Sequence, residues 1–188
     1  MRLCLVSDTH RHRHELLTAV KSAQPLDAIL HAGDETSDVQ WLAERVDWPI
    51  LAVSGNWDQP TPAFPLERVI ADFGPVIYLT HGHHLRVKEG LAGLVARAQA
   101  CAAQVAVFGH THMAMASVQN GCLLVNPGSL SIPRGRRERT FALLEVEPAT
   151  SGQGFDVRVS HWTAAGDLTN TTLRLHLPAP SQPPTGMP

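Results

Sequence analysis

Five short apolar runs, at 3–6, 28–30, 50–53, 76–79 and 105–108, each stop at polar residues drawn from one narrow set: Asp8 and His10, Asp34, Asn56, His81, and His110 with His112. The runs are rich in β-branched residues and too short for helices, so they read as buried strands. In an open α/β sheet, ligands bind beyond the carboxyl ends of the strands, and side chains placed just after the apolar stretches converge on one rim. Asp8 and His10 are two residues apart, as are His110 and His112. In extended backbone that spacing points both members to the same side, which predicts that each pair faces one site together. A single Asp or His after a strand is an ordinary turn former. Five such endings in one chain, three of them led directly by glycine (Gly33, Gly55 and Gly109), point instead to a site that backbone approaches closely.

The first third of the chain alternates strand and helix: strand 2–7, helix 13–24, strand 28–32, helix 37–46, strand 50–54. That order predicts a parallel βαβαβ unit. Leu16, Leu17 and Val20, and then Val39, Leu42, Ala43 and Val46, recur at helical spacing and predict that both helices cover the sheet. After strand 76–80 and a helix over 89–102 come strand 105–109 and two runs, 113–118 and 122–125, flanking Asn120-Gly121, a strong hairpin signal. Strands at 140–146, 155–162 and 171–177 extend an antiparallel part. Two packed mixed sheets with helices outside fit these elements better than one open sheet. The expected division is one domain over 1–177 and a proline-rich tail over 178–188.

Composition narrows the function. With 188 residues and 44% hydrophobic content, the chain has material for one core. A formal net charge of −2 supplies no field toward nucleic acid or an anionic membrane, and no apolar run is long enough to span a bilayer. Cys4, Cys101 and Cys122 lack paired short spacing and are expected as small core residues. A cytoplasmic location is expected. The 11 histidines are many for this length and cluster near the expected strand ends.

In order, the chain reads Asp8-Thr9-His10, Gly33-Asp34, Gly55-Asn56-Trp57-Asp58, His81-Gly82-His83 and Gly109-His110-Thr111-His112, then Asn126-Pro127-Gly128-Ser129. This set, over about residues 2–135, resembles the calcineurin-like metallophosphoesterase superfamily and in particular its small prokaryotic phosphodiesterase branch. The resemblance implies an α/β fold, the four-layer α/β/β/α sandwich of two mixed sheets. It implies two divalent transition-metal ions, one held by Asp8, His10 and His112 and the other by Asn56, His81 and His110, with Asp34 bridging. A carboxylate has two oxygens and can span two ions, whereas an imidazole nitrogen serves one. Mixed nitrogen and oxygen donors suit Mn²⁺, the first expectation, or Fe, Co²⁺, Ni²⁺ or Zn²⁺, and argue against Ca²⁺. The implied activity is hydrolysis of a small phosphate ester or nucleotide-type substrate, as a phosphodiesterase, by direct attack of a hydroxide held between the ions. Asp34, Asn56 and His81 would act through the metals.

The chain departs from the family pattern at Trp57, where many members carry His and the small prokaryotic branch commonly Cys. An indole cannot protonate a leaving group near neutral pH, so the usual general-acid place is vacant and Trp57 is read as an apolar wall. Asp58 is expected to orient a ligand or close the turn. His83, Gly128, Ser129 and Arg134 are the candidate substrate contacts. For His83 a solvated loop position is the alternative, and for Asn126–Ser129 an ordinary turn. Most runs like Arg134, Arg136, Arg137 and Arg139 are solvated loops, and this one stands where it could grip a second phosphate. His12, His14 and His31 are expected in surface or packing roles. The competing class is a metal-binding protein-interaction scaffold, as the retromer subunit uses this fold.

Overall fold

The strands form where the sequence places apolar residues on both faces of an extended segment, because sheet and helix cover opposite sides of each one. In the computed structural model, which describes residues 1–150 and 152–180, β1 (Arg2–Val6), β2 (Ala28–His31) and β3 (Ile50–Ala52) pair in parallel. Helices α1 (Arg13–Ser22) and α2 (Thr36–Ala43) connect them. Alternation along β1 sends Leu3 and Leu5 into one cluster and Cys4 and Val6 into another, the second shared with Leu16, Ala19, Val20 and Leu42 of the helices.

The antiparallel strands β9 (Thr140–Pro148), β10 (Phe155–Thr163) and β11 (Leu168–Leu177) add to the free side of β1, giving a six-stranded sheet in the order β11-β10-β9-β1-β2-β3. The second sheet has the order β4-β5-β6-β8-β7, built from β4 (Glu67–Ile70), β5 (Ile77–Thr80), β6 (Val105–Phe108), β7 (Met115–Gln119) and β8 (Cys122–Asn126). Its β5, β6 and β8 are parallel, with β4 and β7 antiparallel at the edges. Ile77, Leu79, Val105, Val107, Leu123 and Val125 face the first sheet, whereas Tyr78, Ala106, Phe108 and Leu124 pack with α3 (Ala92–Ala100). The layers are therefore helix, sheet, sheet, helix, as expected. Fully burying each such aliphatic side chain contributes about 1.5–3 kcal/mol. All three cysteines are buried within these layers. No helix among the described residues is long and apolar enough to cross a membrane.

The β7–β8 hairpin turns at Asn120 (φ 48°) and Gly121 (φ 77°), the paired positive φ that the Asn-Gly signal requires. Strand β4 was not foreseen, because Glu67-Arg68-Val69-Ile70 is half charged and only Ile70 is fully buried. Helix α3 is shorter than expected and ends at a turn where Ala102 takes φ 52°. The expected tail is described only to Pro180, so its remainder lies outside the described residues.

An ion pair compensates for the polarity of β4. Arg97 of α3 donates through Nε to both oxygens of Glu67, at 3.1 and 3.2 Å, and Tyr78 Oη donates to the same carboxylate. The Arg97 guanidinium holds the Glu67 carboxyl below its ordinary value of 4.5, against partial burial. A carboxyl depressed in the folded state stabilises it above that ordinary value and loses this contribution as pH falls. Glu67→Gln is accordingly expected to lower stability by about 1 kcal/mol at neutral pH, given the partial exposure of the pair. In thermal melts the difference from the unmodified protein should shrink as pH drops below 4.5.

Candidate metal centre

Two carboxylates are buried at the carboxyl ends of the parallel strands: Asp8 after β1, 0% exposed, and Asp34 after β2, 1% exposed. Each has one oxygen occupied by the scaffold and the other turned to imidazoles. Asp8 Oδ2 accepts from Ser7 Oγ at 2.7 Å and from the His110 backbone N–H at 3.1 Å. Its Oδ1 lies 3.1 Å from His112 Nε2 and 3.3 Å from His81 Nε2. Asp34 Oδ1 accepts the Trp57 backbone N–H at 3.1 Å, while Oδ2 lies 3.4 Å from His81 Nε2 and 3.6 Å from His10 Nε2. Among the described residues, neither carboxylate pairs with Lys or Arg.

Buried carboxylates without a permanent cation need positive charge from groups that can exchange it. Burial alone would raise Asp8, but hydrogen bonds from His112 and His81 hold it well below the usual carboxylate range. Burial likewise works against a charged His81, and the bonds to Asp34 and Asp8 nonetheless push it up to about 9. Metal ions compete with protons for such donors. The donor set fits a divalent ion, since the facing atoms of Asp8, His10 and His112 lie within 4.8 Å of one another, as do those of Asp8, Asp34 and His81, with Asp8 common to both groups. Second partners orient the rings. His112 Nδ1 is 2.7 Å from the Ile132 carbonyl, which turns Nε2 toward Asp8. His81 Nδ1 is 3.1 Å from His83 Nδ1.

The backbone explains how short strands deliver so many side chains. Asp8, His10, Asp34, His110 and His112 all have positive φ, between 39° and 65°. The pairs are therefore not extended, which corrects the reason given for their alignment, although both members of each pair do border the one cluster around Asp8 and His81. Asp8 and His10 do share a cluster, but His110 and His112 diverge. His112 meets Asp8, whereas the His110 ring sits edge-on to His81 at 4.8 Å between centroids. Burial, then the charges of His81 and Lys88, lower His110 to about 4 and leave it neutral; Lys88 Nζ is 3.5 Å from its Nδ1. Asn56 is exposed between Gly55 and Trp57.

Two glycines serve the carboxylates rather than an ion. A Cβ on Gly55 would run into the Asp34 carboxylate, and one on Gly109 would meet Ser7 Oγ and come within 2.9 Å of Asp8 Oδ2. Asp58 closes the turn, accepting from Gly55 N–H at 2.8 Å and from Thr36 N–H at 2.8 Å. His31 is buried and lowered to about 4 by that burial; its Nδ1 accepts the Gly33 N–H. The packing role expected for it fits.

Gly128 and Ser129 depart from their expected contact with substrate. Both are buried; the Gly128 N–H is taken by Asn126 Oδ1, and Ser129 Oγ donates to the Asp8 carbonyl at 2.9 Å, beside Ser131 Oγ at 2.8 Å. The segment holds Asp8 from beneath because its polar groups face inward. Nothing in its turn-like composition signals this. The arginine cluster is likewise divided. Arg139 pairs with Glu15 and Arg136 reaches Thr171, whereas Arg134 is exposed and its backbone N–H bonds the His112 carbonyl. Half-buried His83 remains beside the cluster. Trp57 is an open lip, 69% exposed, with its indole edge-on to His10.

Residues 1–149 match the family described as the calcineurin-like phosphoesterase superfamily domain. Over 148 residues the chain is 34% identical to a Bacillus subtilis (strain 168) protein named "Probable metallophosphoesterase YsnB", covering 78% of this chain and 85% of that one. A conserved protein of Streptococcus pneumoniae TIGR4, described as a predicted phosphoesterase, superposes with a TM-score of 0.74 at 25% identity, covering 93% of this chain and 97% of the other. Vps29 from Entamoeba histolytica superposes with a TM-score of 0.72 at 19% identity over 94% and 99% of the two chains, a likeness of fold alone. The matched span contains every carboxylate and imidazole of the cluster, and the chain belongs to the calcineurin-like phosphoesterase superfamily as a metal-dependent phosphoesterase of its small prokaryotic branch.

Proposed function

We propose that this protein is a binuclear phosphodiesterase of the cytoplasm, acting on a small phosphate ester or nucleotide-type substrate. The observation that carries the reading is the pair of buried carboxylates, each with one oxygen held by the scaffold and the other facing imidazole Nε2 atoms. Asp8, His10 and His112 would hold one ion and Asn56, His81 and His110 the other, with Mn²⁺ the first choice among Mn²⁺, Fe, Co²⁺, Ni²⁺ and Zn²⁺. Asp34 is the shared ligand, a role supported by Oδ2 lying near both His10 and His81. When bound, two divalent ions at these donors would supply the positive charge that lowers the pKa of water toward neutrality and attracts phosphoryl oxygens, which would favour direct hydrolysis by hydroxide without a phosphoenzyme. The chain's own residues orient the donors and bind the phosphate, for which His83 and exposed Arg134 are the proposed contacts. A scaffold role would not require a full set of seven donors, and the likeness to Vps29 extends to fold alone.

Asp34→Asn is expected to abolish turnover and reduce bound metal, because the substitution removes charge where two cations meet. Metal content and activity measured together test it; two tightly held ions with near-native activity would reject the shared ligand. His110→Ala and His112→Ala should each weaken a different ion in metal titrations, and loss of the same ion from both would reject the division of ligands.

With Trp57 in the general-acid place, the rate should depend steeply on leaving-group pKa. A positioned acid is worth about 10²–10⁴ in rate, and its benefit fades for good leaving groups. Trp57→His is therefore expected to raise kcat/KM more for alkyl than for p-nitrophenyl esters, provided both metals remain bound. A flat leaving-group series in the unmodified enzyme would show that another residue, His83 first, already donates the proton.

A further inference from the structure

The rim of the centre carries one large apolar side chain, Trp57, which has no task in holding metal. Trp57 is 69% exposed, more than any other large apolar side chain among the described residues. It is nonetheless anchored. Its N–H is fixed to Asp34 Oδ1, and its indole stands 5.0 Å from the His10 ring, with the planes at 75°. The backbone bond would form with any residue, so it does not account for an indole. His10 in turn lies 5.3 Å from the His112 ring. The Ile132 backbone carbonyl, 2.7 Å from His112 Nδ1, fixes that ring. Beside His110, by contrast, the neighbour is the Lys88 ammonium. Single exposed apolar residues are ordinary, but an exposed indole set against an imidazole of the phosphate site stands where a ligand bound there can cover it.

We infer that Trp57 is a specificity-determining platform on which the nucleobase of a nucleoside phosphodiester stacks while the phosphate lies at the carboxylates. This rests on the phosphodiesterase reading above and narrows its substrate class. Every base has a π face, so the platform discriminates nucleoside from aliphatic esters rather than one base from another. Its anchoring limits the side-chain freedom lost on binding.

The test keeps the leaving group constant. The metal-loaded enzyme is assayed on thymidine 5′-(p-nitrophenyl phosphate) and on methyl p-nitrophenyl phosphate. The nucleoside ester is expected to be preferred by about tenfold in kcat/KM, chiefly through KM, as stacking of one base allows. Trp57→Phe should keep most of that ratio, and Trp57→Ala should bring it close to unity. Where Trp57→Ala loses metal, Trp57→Leu replaces it, retaining apolar bulk without a π face. A second readout needs no turnover: calorimetry with adenosine monophosphate and ribose 5-phosphate on the metal-loaded protein should show the same preference and the same loss. Equal affinities in the unmodified protein, or a preference that survives Trp57→Ala and Trp57→Leu, would overturn the platform. Binding that prefers the nucleotide through Trp57 without hydrolysis of either diester would leave the platform standing and reject the phosphodiesterase reading.

Discussion

Asp8 and Asp34 sit almost wholly out of water, and an ionised carboxylate there is unfavourable by several kcal/mol unless positive charge and hydrogen bonds meet it. Much of the surrounding structure answers that requirement. Ser7 Oγ and the N–H of His110 meet one carboxylate, and the N–H of Trp57 meets the other. The imidazoles of His81, His112 and His10 face the remaining oxygens. These are groups that exchange a proton for a metal ion, so the same contacts that let the carboxylates be buried create the appetite for divalent cations.

Holding this arrangement strains the backbone. Five of the proposed ligands adopt left-handed φ values that L-residues disfavour by about 1–3 kcal/mol each. The strain is confined to the loops after β1, β2 and β6, and the layers beneath them are tightly filled. The Asp8 carbonyl is gripped by the hydroxyls of Ser129 and Ser131. Asn126 ties down the loop before His112, with Nδ2 bonded to the Gly109 carbonyl at 2.8 Å and to Thr111 Oγ1 at 3.0 Å. Its own carbonyl is met by His161 Nε2 at 2.8 Å, which links the centre to β10 of the first sheet. Residues far apart in the chain thus over-determine a conformation that none of the loops would prefer alone.

The rim gives the centre its direction. Lys88 stands beside His110, and the exposed indole of Trp57 stands beside His10. An indole near neutral pH donates no proton to a leaving group, so the apolar surface of Trp57 is what this position offers a ligand. The donors lie on buried loop ends and Trp57 on an open lip, so a change at position 57 replaces no carboxylate or imidazole of the cluster.

Much of this was legible before folding. Runs of β-branched residues ending in Asp, Asn and His mark the parallel strands and one shared rim, and Asn120-Gly121 marks its hairpin, because those signals arise from local sterics and burial. Strand β4 has no apolar run to mark it, because it pairs at the sheet edge with β5 and its Glu67 finds a partner in Arg97, 30 residues away. The inward turn of Gly128 and Ser129 was equally hidden, since a turn sequence has the same composition whether its polar groups meet water or the carbonyl of Asp8. The layers, the inventory of donors and the indole at position 57 are all written in the chain itself. Tertiary structure alone decided which oxygen of each carboxylate faces the imidazoles, that His112 meets Asp8 while His110 meets His81, and that Trp57 stands against His10. Those outcomes depend on left-handed backbone and long-range hydrogen bonds, and neither leaves a periodic trace in the chain.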